Sequence, residues 1–134
     1  MLYEYKLDVP ANTGADEPEQ LDMLVTVGIL TRAEIFMPDG SAGLCHAIIL
    51  DSQFHIMPMN PEGDIATNGI LVSGQYHYKI KAGHQILILK GWNEDILYEH
   101  KITCRLNVMK EEDLVTMTPL DRLSKILSRM LGLD

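Results

Sequence analysis

Apolar residues recur at every second position over most of this chain, and turn residues interrupt them at short intervals. That period belongs to strands with one buried face, because successive side chains of a strand point to opposite sides. Leu2 to Asp8 is the first such run. Pro10 to Asp22, rich in proline, glycine, asparagine and acids, reads as a long loop or arm. Leu24 to Met37 alternates again: Val25, Val27, Ile29, Ala33 and Ile35 share one phase, which Thr31 interrupts. "MPDGS", Met37 to Ser41, is a turn with proline second and glycine fourth. Leu44 to Leu50 is nearly all apolar, as in a strand covered on both faces. Gln53 to Met57 is a short strand, and Pro58 to Asp64 is irregular, since two prolines and a glycine cannot sustain a ladder. "TNGI", Thr67 to Ile70, carries the Asn-Gly pair of a type I′ hairpin turn. Gln75 to Lys81 and Gln85 to Leu89 are strands joined through "AGH".

The longest alternation follows "KGWNED". Ile96, Tyr98, His100, Ile102, Cys104, Leu106 and Val108 share a phase, opposed by the mostly polar Leu97, Glu99, Lys101, Thr103, Arg105 and Asn107. One face of this strand belongs in the core and the other in water. Gly91, Asn93, Glu94 and Asp95 are then the connection between two antiparallel strands, with Trp92 capping the open end of the core. Eight or nine short strands with regular turns predict a mainly β fold, an antiparallel β-sandwich of jelly-roll-like form.

Thr118 to Asp134 departs from period two. Thr118 is placed as an N-cap, Pro119 as the first helical residue and Gly132 as the stop. Leu120, Leu123, Ile126, Leu127, Met130 and Leu131 fall on one face at helical spacing. The organisation expected is a sandwich domain over 1–110, an acidic linker over 111–117 and a C-terminal amphipathic helix over 118–134. The helix stripe is the candidate partner-binding surface, because an apolar stripe must bury against something.

Composition narrows the function classes. A chain of 134 residues supports one domain with a real core. Eleven basic against nineteen acidic residues give a net charge of −8, and the basic residues are scattered, which argues against nucleic acid as a partner. No run approaches the roughly 18 apolar residues of a membrane span. The start, "MLYEYKLDVP", lacks the basic and continuously apolar segments of a signal peptide. Cys45 and Cys104, outside any CxxC or zinc spacing, are expected to be buried and reduced.

Candidate chemistry is sparse. His46, His55, His77, His84 and His100 follow no metal-ligand spacing, although His46 and His100 share phases with core residues and two strands could bring them together. Glu94, Asp95 and Glu99 lie near Tyr98, but a turn and a solvated strand face do not make a glycosidase pair. "ANTGADEPEQLD" and "NPEGD" are acidic without the spacing of a calcium loop. Trp92, Tyr98, Tyr76 and Tyr78 are the stock for a carbohydrate platform. With no nucleophile elbow, P-loop or dinucleotide fingerprint, the reading is a non-enzyme without metal or cofactor.

Over Tyr3 to Val108 the running pattern, "YEYKLDVPANT", "VTVGILTRAEIFMPDGSAGLCHAIIL", "QFHIMPMNP" and "KGWNEDILYEHKITCRLNV", resembles small β-sandwich proteins encoded beside structural genes in tailed phages and phage-like particles. The resemblance implies a virion or particle component, made in the host cytoplasm. It would work by docking to itself, as a homo-oligomer, or to other particle proteins. A lectin-like module that binds carbohydrate is the alternative.

Overall fold

A computed structural model of the chain describes residues 1–115 and 130–132. Eight strands are present: β1 (Leu2–Val9), β2 (Glu19–Leu24), β3 (Gly28–Phe36), β4 (Cys45–Asp51), β5 (Phe54–Met57), β6 (Leu71–Ile80), β7 (Ile86–Asn93) and β8 (His100–Met109). They form two antiparallel four-stranded sheets, ordered β1-β8-β3-β6 and β2-β7-β4-β5. That order is the double Greek key of an eight-stranded jelly roll.

The alternation explains the core. Leu7, Val9, Leu30, Ala33, Ile35, Ile102, Cys104, Leu106 and Val108 from the first sheet face Met23, Cys45, Ala47, Ile49, Leu87 and Leu89 from the second. Cross-strand neighbours reinforce one another, as at Leu7 beside Ile102 and Leu89 beside Ile49. Gly91 has its place here too, because a Cβ would lie 2.6 Å from Ile102 Cδ1 and 2.9 Å from Val9 Cγ2. Cys45 and Cys104 are both buried and unbonded, and burial pushes their thiols up to about 11 and about 12. The outward side of the first sheet is ionic: Arg105 reaches Glu4 at 3.2 Å and Glu34 at 3.9 Å, and Arg32 meets Glu34 at 2.6 Å.

Several elements depart from the sequence reading. The loop expected over Pro10 to Asp22 ends early, and Glu19–Leu24 forms β2 on β7. This is an edge strand wetted on its outer side, so only Leu21 and Met23 carry its pattern. The run from Leu24 to Met37 is two strands, broken where the Val25 amide bonds the Gln85 carbonyl. β3 then carries a bulge at Thr31. Thr31 and Arg32 both avoid the core, so Leu30 and Ala33 both face inward while Ile29 lies outside the core cluster. A bulge adds one residue on one side of a ladder and so resets the phase.

Asn68 and Gly69 make no hairpin. Asn68 Oδ1 accepts the amides of Gly40 and Ala42, and the Gly69 amide bonds the Met37 carbonyl; only Gly69, at φ +68°, is left-handed. Ties to the β3–β4 turn override the local preference. β7 runs through Trp92 to Asn93, so "KGW" is strand; β7 and β8 lie in different sheets, and their connection crosses the sandwich instead of closing a hairpin. The segment assigned as an acidic linker begins as a short helix, α1 (Glu111–Val115), against β3. Its three first-turn acids suit a helix N-terminus. Of the expected C-terminal stripe, Leu120, Leu123, Ile126 and Leu127 lie outside the described residues; Met130 and Leu131 are 77% and 71% exposed, and Gly132 is left-handed at φ +70°.

Candidate functional site

The β7–β8 connection is built from a buried polar node. Asn93 ends β7 pointing inward, and its side-chain amide donates to the carbonyls of Val9 at 3.3 Å and Tyr98 at 2.9 Å. Its Oδ1 accepts the Asp95 amide at 3.0 Å. Asp95 turns back in the same way: Oδ1 accepts the amides of Leu97 and Tyr98, and Oδ2 meets His100 Nε2 at 2.9 Å. The Leu97 amide, the His100 side chain and the Tyr98 amide together hold the Asp95 carboxyl below its usual range. Asparagine and aspartate side chains that bond amides two residues ahead fix a turn locally. The main chain adds Asn12 to Asp95 and Glu94 to Leu44 bonds.

What this scaffold holds up is apolar. Ile96, Leu97 and Tyr98 are 73%, 73% and 66% exposed. Three consecutive large side chains left in water on an anchored loop form a knob, in contrast to a frayed strand end. The sequence reading put these residues in the first turns of β8, with Ile96 and Tyr98 in the core; the strand starts only at His100, because the Asp95 turn uses up the intervening backbone. The available signal was Leu97, the one large apolar residue in an otherwise polar phase.

Trp92 does not cap the core. It lies on the outer side of the second sheet and stacks on His46, centroids 5.1 Å apart and planes within 4°. His46 Nδ1 meets Asp64 Oδ1 at 2.7 Å, and Nε2 faces Glu94 Oε2 at 3.5 Å. His46 and His100 are therefore not brought together: one serves the sheet surface, the other the loop node. Among the described residues, no three histidines, cysteines or acids are grouped to hold a metal ion.

Tyr76 and Tyr78 line a third feature. On one flank of the sandwich β1 and β2 approach each other; on the opposite flank the edge strands β5 and β6 border a groove of about 260 Å³. Its apolar walls are Phe54, Ile56, Met59, Tyr76 and Tyr78, and the polar Gln75 and His77 border it. Phe54 stacks on Tyr78 at 5.6 Å, and Tyr78 donates to Asp51 Oδ2 at 2.5 Å. Burial, then the bond to and charge of Asp51, push the Tyr78 hydroxyl up to about 12. The polar residues Lys79, Lys81 and His84 border a smaller hollow that shares Tyr78 and Asp51.

No family model and no curated protein matches this chain.

Proposed function

We propose that the chain is a non-enzymatic structural subunit that works by protein–protein docking, as a component of a phage virion or phage-like particle. The observation that carries the docking part is the anchored knob of Ile96, Leu97 and Tyr98. Large apolar side chains cost free energy in water, and burying each contributes roughly 1.5–3 kcal/mol. A loop braced by three hydrogen bonds of the Asn93 side chain, two of the Asp95 side chain and one carboxylate–histidine contact loses little entropy on binding, which is the condition for a small surface to bind well. The particle setting rests on the resemblance of the turn motifs alone. In this reading the segment of Leu120, Leu123, Ile126, Leu127, Met130 and Leu131 is an amphipathic helix and a second docking element.

The carbohydrate reading is weaker on geometry. Trp92 gives one ring face to His46 and Tyr78 gives one to Phe54, while the Tyr78 hydroxyl is committed to Asp51. A sugar platform needs open ring faces with free polar groups beside them.

The test is the mass in solution by light scattering, across a concentration series, alone and with co-expressed particle proteins. Leu97→Asp is expected to abolish association while leaving the circular dichroism spectrum and melting of the sandwich unchanged. A Leu97→Asp protein that associates like wild type would refute the knob; Leu123→Asp with Leu127→Asp tests the helix in the same assay.

A further inference from the structure

The edge strand β6 has properties that the knob does not explain. It is ten residues long, contains no proline, and its outer edge has no ladder partner among the described residues. Exposed strand edges of this length are usually blunted, because unpaired amides and carbonyls template another strand. Beside this edge runs the groove of Phe54, Ile56, Met59, Tyr76 and Tyr78. The strand's alternation sorts its residues: Tyr76 and Tyr78 are half-buried against the groove, and Gln75, His77 and Lys79 are exposed, Gln75 and His77 at the groove's rim.

Charge gives the second observation. In a chain of nineteen acids there is none from Ile65 to Asn93, a stretch that holds Lys79, Lys81 and Lys90 with His77 and His84. The rim of β6 thus carries Lys79, Lys81, His77 and His84, with Asp51 among them bonded to the Tyr78 hydroxyl and 3.8 Å from His84 Nδ1. The lysine charge already draws a further acid: Glu111 of α1 lies 3.7 Å from Lys79 Nζ.

We propose that β6 and its groove take up an extended acidic–apolar segment of a partner polypeptide as an added strand. Its backbone continues the first sheet beyond β6. Alternate apolar side chains enter the groove, and the acidic ones between them lie beside Lys79, Lys81 and His77. Period two in a strand makes this sorting obligatory. The inference is independent of the knob, which sits at the β7–β8 connection.

The experiment uses the full chain and a capped, labelled eight-residue peptide that alternates valine or phenylalanine with glutamate. Fluorescence anisotropy measures binding, and amide hydrogen exchange by NMR locates it. Saturable binding is expected, with new protection within Ser73 to Lys79 and none on β1. Methylating the peptide nitrogens of one alternate set should abolish binding, and methylating the other set should not, because only one set faces β6. Replacing glutamate by lysine in the peptide, or introducing Lys79→Glu with Lys81→Glu in the protein, should weaken binding by about fivefold or more. Those two substitutions are at exposed positions, and an unchanged melting curve confirms that the fold is kept. Four results overturn the proposal: no binding; equal binding by both methylated sets, which means contact through side chains only; β6 amides protected without peptide in proportion to protein concentration, which means the edge joins a second copy; or protection of β6 by oligosaccharides from a glycan panel and not by the peptide. Loss of association in Leu97→Asp with peptide binding intact would separate the two sites.

Discussion

Asp95 shows how one side chain can fix a surface. Its carboxylate is bonded by two amides and a histidine, and these bonds hold its titration below the ordinary value of 3.8. A depressed folded value means stability that is present above 3.8 and is lost as the pH falls through the folded value. Acid unfolding should therefore be less steep below pH 3.8 in Asp95→Asn than in wild type, measured by tryptophan emission. Gly91 is the opposite case, a residue defined by the absence of a side chain. Gly91→Ala forces a methyl onto Ile102 and Val9 and should cost about 1–3 kcal/mol in urea unfolding. The two thiols supply a third measurement. With values near 11 and 12 and no solvent access, Cys45 and Cys104 should resist Ellman's reagent at pH 8 until the protein is denatured.

At the scale of elements, strands with a clean alternation were legible and those defined by tertiary contacts were not. β1 and the last run from Ile102 announced themselves by alternation, β4 by a continuous apolar run, and β5 as a short stretch between turn residues. β2 was hidden because an edge strand may be polar on its wet side. The bulge at Thr31 was visible only as an interruption, and its consequence, a shift of the inward set from Ile29 to Leu30, needed the partner strands. The knob was misread because a side chain, Asp95, and not the apolar pattern, ends the strand. The ionic face of the first sheet was readable from the polar phase of β8, yet it adds little energy. Arg105→Ala should change stability by about 1 kcal/mol or less, because exposed ion pairs are screened.

For the whole molecule, the sandwich class followed from strand count and spacing, whereas the strand order did not. No pattern in the sequence tells β1 to pair with β8, or β2 with β7. The result is a body with two unlike outer faces and two unlike flanks, and its docking features lie at separate places: the knob at the β7–β8 connection, the groove between β5 and β6. Hydrogen exchange should rank the strands by position. The central β8, β3, β7 and β4 should be slowest and the edges β1, β2, β5 and β6 faster, with β6 slowing when a partner is bound.

The pairing of β1 with β8 also sets a timetable for the ribosome. Leu2 finds its neighbour in Asn107, and the Met1 amine bonds the Val108 carbonyl, so residues of β1 are completed by others made about a hundred residues later. At roughly 5–20 residues per second, the first strand waits about 5–20 s for its partner. During that interval Tyr3, Tyr5, Leu7 and Val9 have no β8 to cover them, and β3, too, lacks one of its two neighbours. The first sheet therefore closes only once β8 has been made, and pairing over so long a separation makes its folding slow.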